Sequence, residues 1–243
     1  RLAEAIFMAS RVNTDDPVAA WNTHNQKLKE KREWLNQKDF REIHFKGPGT
    51  DLKVGLADDH EWMGGASMSQ NGIICNPNIP SEEVFTTPHA FRVEGHVSST
   101  TPLSHQGTLI DNIRAVFEKG SITEAKASKG EAVLKKVLDS DEGARRLGEV
   151  ALVPNSSPIS SSGLLFYNTL FDENAACHIA LGQCYSKCFK GEKNLSTSEI
   201  KDRGGNSSMI HIDWMIGSGE IDIDGFGKNG ETVPIFRKGE WVD

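Results

Sequence analysis

Glu149, His178 and the triplet His211-Ile212-Asp213 are side chains able to ligate a metal ion, and each interrupts an apolar stretch. Glu149 sits in Leu147-Gly148-Glu149-Val150-Ala151-Leu152-Val153, which reads as a buried strand. His178 sits in Ala175-Ala176-Cys177-His178-Ile179-Ala180-Leu181, which reads as a buried helix. In an extended segment, residues two apart share a face, so His211 and Asp213 are expected side by side. An unpartnered buried carboxylate is costly, and charges at such positions are normally paired or bound to metal. A mixed carboxylate and imidazole set suits Zn, Mn or Co better than a thiolate-rich structural site does. The chemistry these residues point to is that of a catalytic metal centre.

The elements that must position them read as a mixed α and β, sheet-rich, largely antiparallel domain with flanking helices. Asp15-Asp16-Pro17 is a helix start, with acidic caps and Pro in the first turn, and the helix is expected to run to about Asn36. Gly47-Pro48-Gly49 between Ile43-His44-Phe45 and Leu52-Lys53-Val54-Gly55-Leu56 predicts a hairpin. Ile73-Ile74-Cys75 reads as an apolar strand and 91–97 as a half-exposed one. A strand pair is expected around Lys119-Gly120, and an amphipathic helix from Lys129 to about Leu138. Ile221-Asp222-Ile223-Asp224-Gly225 and Thr232-Val233-Pro234-Ile235-Phe236 predict a closing hairpin through Asn229-Gly230. The polar stretch 187–206 reads as a loop near the site.

Composition narrows the class. The 243 residues are 37% hydrophobic and 25% charged, ordinary values for a folded domain. A net charge of −7 and a pI near 5.7 argue against a nucleic-acid or acidic-membrane partner. No apolar run approaches the roughly 18 residues of a spanning helix. Cys75, Cys177, Cys184 and Cys188 do not form a disulfide framework, and reduced thiols in the cytoplasm are expected. Cys184 and Cys188 have helical spacing without a second pair, which argues against a structural zinc site. The chain opens at Arg1 inside a helix-like pattern, so residues 1–40 are expected to be a helical lead-in from an upstream domain. Residues 41–243 would form the metal-binding catalytic domain.

Four segments together resemble a known family. Asn78-Ile79-Pro80-Ser81-Glu82-Glu83-Val84-Phe85-Thr86-Thr87-Pro88 is similar to the first ligand segment of the M29 metallo-aminopeptidases, and Gly148-Glu149-Val150-Ala151-Leu152-Val153 to the second. The run from Phe166 to His178 resembles the third, and His211-Ile212-Asp213-Trp214-Met215-Ile216-Gly217 the fourth. The similarity continues into Gly239-Glu240-Trp241 and covers nearly all of the chain, which corresponds to the later part of a family member.

The resemblance implies a two-metal site that releases N-terminal residues from peptides bearing a free N-terminus, in a homodimer. Its ligands would be Glu83, Glu149, His178, His211 and Asp213, binding two divalent ions (Zn, Co or Mn). Tyr185 would lie close enough to bind metal or substrate, or to donate to the oxyanion, and Glu82 or another nearby carboxylate would shuttle the proton. Glu82 and Glu83 point oppositely in an extended segment, and the choice of Glu83 rests on the family.

Each residue also has a plainer role. His178 could be a satisfied core histidine, Glu149 an ion-pair partner of Arg145 or Arg146, and His211 with Asp213 a structural hydrogen-bonded pair. Tyr185, seven residues after His178, shares its face only if the helix continues, and is otherwise a core tyrosine. Asp172 and Glu173 read as helix N-terminal caps, and His60, His89, His96 and His105 as outside the site. The absence of His-Glu-x-x-His argues against a mononuclear zincin, and the absence of a Gly-rich phosphate cradle argues against a phosphoesterase. Another two-metal hydrolase, or a non-catalytic dimerisation module with a buried polar network, stands as the alternative.

Overall fold

A computed structural model describes residues 1–191 and 195–242. The chain opens with two helices, α1 (Leu2–Ala9) and α2 (Pro17–Lys38). Asp16 caps α2 by accepting from the Ala19 amide at 2.9 Å, with Pro17 at the first helical position, as the acidic pair before a proline predicts. Next come the hairpin β1 (Glu42–Gly47) and β2 (Thr50–Leu56) and a small hairpin, β3 (Ser67–Met68) and β4 (Ile74–Cys75). Then follow β5 (Val84–Thr86), β6 (Pro88–Ser98), β7 (Leu103–His105), β8 (Thr108–Ile110), β9 (Arg114–Glu118) and β10 (Ser121–Lys126). The remainder is α3 (Glu131–Leu138), β11 (Leu147–Leu152), α4 (Pro158–Ser162), α5 (Thr169–Asp172), β12 (His178–Gly182), α6 (Thr197–Asp202), β13 (His211–Met215), β14 (Asp222–Phe226), β15 (Thr232–Arg237) and β16 (Glu240–Trp241).

Two antiparallel sheets organise these elements. The larger has the order β10-β9-β6-β2-β1-β14-β15-β16, and the smaller the order β13-β12-β11-β5. The mixed, largely antiparallel reading of the sequence holds. Alternating apolar residues of the large sheet (Ile43, Phe45, Leu52, Val54, Val93) meet Val150, Leu152 and Ile179 of the small one in a single core, which Leu28 and Leu35 of α2 also enter. The expected hairpins at 43–56, 114–126 and 221–236 are all present.

Three local readings need correction. Residues 178–182 form a strand and not a helix, hydrogen-bonded to β11 on one side and β13 on the other. A short, continuously apolar run fits either element, and only pairing on both edges decides. The stretch 187–206 is not all loop, since α6 begins at a capping box of Ser196 and Glu199. β4 covers only Ile74–Cys75 of the apolar strand expected at 73–75, and both residues are exposed. Among the described residues, no helix is long and apolar enough to cross a membrane.

Candidate metal centre

The small sheet is a platform on which each strand contributes to one cluster. Glu83 immediately precedes β5, Glu149 lies on β11, His178 opens β12, and His211 and Asp213 lie on β13. The register places Glu149 opposite Ala180, and Ala180 opposite Asp213. Cross-strand neighbours share a face, so these three form one row, with the small Ala180 leaving the floor open between two carboxylates. The next row pairs His211 with Gly182, where a Cβ would lie 2.1 Å from the Ile210 carbonyl at φ +102°. The central strand is thus small where the flanking strands carry ligands.

Two groups of three ligand atoms result, Glu83-Glu149-His178 and Glu149-His211-Asp213, each within 4.8 Å of one another. Glu149 belongs to both. Its Oε1 faces His178 Nε2 at 3.8 Å and its Oε2 faces His211 Nε2 at 3.5 Å. Asp213 Oδ1 lies 3.5 Å from the same His211 nitrogen, and Glu83 Oε2 lies 3.2 Å from His178 Nε2. Each imidazole directs Nδ1 at a backbone carbonyl, His178 at Ala176 (3.1 Å) and His211 at Gln183 (2.7 Å). Those bonds orient both rings and commit Nδ1 to donating, so that each Nε2 points at the carboxylates.

These residues fit a metal. Glu83 Oε2 and His178 Nε2 are buried and, despite their 3.2 Å approach, are not aligned as a hydrogen bond and have no other partner. Burial and the nearby Glu149 carboxylate push Glu83 above its ordinary range. Burial draws the imidazoles down, yet the carboxylates hold His178 well above its usual value and His211 up to about 10. The protein alone thus holds protons at Nε2, where bound cations would displace them. The donor set is carboxylate and imidazole without thiolate, which suits Zn, Co or Mn. Cys177, Cys184 and Cys188 are buried, and burial raises all three thiols.

The plainer roles of Glu149 and Tyr185 do not describe this arrangement. Arg145 pairs with Asp139 at 2.6 Å, and Arg146 donates to the carbonyls of Ala90 and Lys119, so neither neutralises Glu149. Tyr185 follows β12 instead of continuing a helix. It lines a cavity of about 370 Å³ together with Glu83, Glu149, His211 and Asp213. Its ring lies 4.7 Å from the His211 ring and 5.9 Å from the Phe85 ring. Burial, then the Glu149 and Asp213 charges, raise its phenol, so the hydroxyl remains a donor. Of the histidines set aside, His105 lines the same cavity.

The structure separates the two adjacent glutamates. Glu83 enters the cluster, whereas Glu82 accepts two bonds from Arg11 (2.6 and 3.0 Å) and lies 3.5 Å from His24. Glu82 is therefore engaged in a buried ion pair with Arg11, beyond the end of α1, and faces His24 of α2, and it does not line the cavity. A further carboxylate lining the cavity, beside Glu83, Glu149 and Asp213, is Glu173, expected from the sequence to be only a helix cap. Burial and the neighbouring Glu83 charge push Glu173 up to about 8. Its neighbour Asp172 turns the other way and accepts from the Phe166 and Asn168 amides (2.7 and 3.0 Å). Asn174 then ties the two ligand-bearing segments together, accepting from the Glu82 amide at 2.7 Å and donating to the Leu170 carbonyl.

Comparison with known proteins gives the family. The family described as thermophilic metalloprotease (M29) matches residues 1–241. Aminopeptidase T of Thermus aquaticus is 56% identical over 242 residues, covering 100% of this chain and 59% of that protein. Aminopeptidase 2 of Geobacillus stearothermophilus is 49% identical over 242 residues, again covering 100% of this chain and 59% of the relative. The structure of wild-type AmpT from Thermus thermophilus superposes with a TM-score of 0.92 at 53% identity, covering 99% of this chain and 58% of that one. A 2,5-dihydroxypyridine dioxygenase from Pseudomonas putida KT2440 shares the fold alone, with a TM-score of 0.59 at 15% identity over 98% of this chain and 62% of that one. The chain spans a little under three-fifths of the length of the aminopeptidases it matches, and over that span it belongs to the M29 metallopeptidase family.

Proposed function

We propose that the full-length protein is a metal-dependent aminopeptidase that releases N-terminal residues from peptides through a dinuclear site. The observation that carries this reading is Glu149, whose two oxygens face two separate ligand groups, so that it would serve both ions. The aminopeptidase names of relatives at 56% and 49% identity support the substrate class. When bound, a pair of divalent cations supplies Lewis acidity to the scissile carbonyl and lowers the pKa of water.

The chain's own residues do the rest. Glu83, Glu149, His178, His211 and Asp213 would hold the ions, with His178 and His211 oriented by the Ala176 and Gln183 carbonyls. Glu173, a buried carboxylate beside other carboxylates, accepts a proton from the attacking water and returns it to the departing amine. The Tyr185 hydroxyl, held protonated, donates to the carbonyl oxygen as negative charge develops there. The carboxylate-rich floor receives the amine end of the peptide, which places the first peptide bond at the reacting groups.

The test is hydrolysis of paired dipeptides, free and N-acetylated, by the metal-loaded full-length protein. Free dipeptides are expected to be cleaved far faster, because acetylation removes the amine that the floor receives. Equal rates would overturn the exopeptidase reading, and no cleavage of either would overturn the peptidase reading. Tyr185→Phe is expected to lower kcat by about 10²–10³, the scale for one oxyanion donor, with metal content and Tm unchanged. An unchanged kcat would return Tyr185 to a packing role.

A further inference from the structure

We infer that Lys187 reads the C-terminal carboxylate of very short peptides, so that this site is tuned to dipeptides; the inference rests on the aminopeptidase reading above. Among the described residues that line the cavity, Arg32 and Lys187 are the two with a permanent positive charge. Arg32 is engaged, with Nη1 3.4 Å from the Gly64 carbonyl. Lys187 has no carboxylate within ion-pairing distance among the described residues, although the cavity it lines is rich in them.

Its backbone is anchored, and among the described residues no carboxylate neutralises its charge. Lys187 lies in a 3-10 turn, Ser186–Cys188, closed by the Cys188 amide on the Tyr185 carbonyl at 3.0 Å. The Cys188 side chain is buried, and its carbonyl accepts from the Glu61 amide at 2.8 Å. From that base the ammonium rests on two ring faces, 4.9 Å from the Phe85 centroid and 5.1 Å from the Tyr185 centroid. Such a seat holds a cation without neutralising it.

Length selects the ligand. The Tyr185 ring lies 5.1 Å from the ammonium and 4.7 Å from the His211 imidazole. The cation is therefore no further from His211 than those two spans laid end to end. An extended dipeptide spans about 7 Å from amine to carboxylate. With its amine at the carboxylate floor, its carboxylate falls within reach of Lys187 and accepts a charge-assisted hydrogen bond. A longer peptide presents a neutral amide there and forgoes that bond.

The experiment compares Leu-Leu with Leu-Leu-amide and Leu-Leu-Leu on the full-length, metal-loaded protein. The wild type is expected to favour the free carboxylate dipeptide in kcat/KM by roughly tenfold, the scale of one hydrogen bond between charged groups. Lys187→Met is expected to collapse that ratio through KM, Lys187→Arg to retain it, and Lys187→Glu to invert it. A ratio that Lys187→Met leaves intact overturns the inference, as does a ratio that collapses in Arg32→Met instead. Loss of cleavage for every substrate in wild type overturns the aminopeptidase reading itself, a result distinct from cleavage without discrimination.

Discussion

Glu149→Gln is expected to lower the turnover of the full-length enzyme by about 10³-fold or more, the rate equivalent of the several kcal/mol that bound metal ions contribute to the transition state. Glu149 is the one side chain common to both candidate ligand groups, so in the proposed two-ion site its loss would weaken both where loss of Glu83 or Asp213 would weaken one. The amide keeps the volume of the carboxylate inside β11, all six residues of which are buried, and the fold is expected to survive. Metal content by mass spectrometry, kcat, and Tm with and without added metal separate the contributions. Wild type is expected to gain Tm on metal addition, because a ligand that binds only the folded state stabilises it. Glu149→Gln is expected to gain much less. A variant with normal metal content and normal turnover would overturn the shared-carboxylate reading.

The parts of this site that were legible in the sequence are those whose geometry is local. His211 and Asp213 share a face because side chains alternate along a strand, and β13 places them so. Glu149 stands out because it interrupts an apolar run that has no other use for a charge. His178 was recognisable as a ligand type, but its element was not. Its apolar neighbours fit a helix as well as a strand, and the pairing that decides comes from segments about 30 residues away on each side, a span set by the register of β12 with β11 and β13.

Adjacent acids were the harder problem. Glu82-Glu83 and Asp172-Glu173 each place one carboxylate in the cavity and one in a structural bond, and composition is blind to which is which. Arg11, 71 residues from Glu82, settles the first pair. The backbone amides of the Phe166 turn settle the second by drawing in Asp172 and leaving Glu173 to face the cluster. The capping box that starts α6 has a local signature, since Ser196 and Glu199 have the spacing that satisfies two helix N-terminal amides, yet its stretch reads as a loop. The surrounding polar composition masked it.

Glu173→Gln tests whether the acid revealed by the structure moves the proton. The carboxyl is buried among Glu83, Glu149 and Asp213, which raises its affinity for a proton above that of an ordinary carboxylate and suits it to exchange one. The amide matches its size but can neither accept the proton of the attacking water nor return it to the leaving amine. kcat is therefore expected to fall by about 10²–10⁴, the typical contribution of a positioned acid–base group, while KM and metal content stay near wild type. The wild-type profile of kcat/KM should decline as acid protonates the base, and that limb should be absent or displaced in Glu173→Gln. Loss of metal equal to that of Glu149→Gln would make Glu173 a ligand instead of the base. Unchanged kcat with an unchanged acid limb would return the proton transfer to another group. Glu82→Gln supplies the contrast. Because Glu82 faces Arg11 and His24, its substitution is expected to lower Tm by breaking a buried ion pair and to leave the acid limb in place.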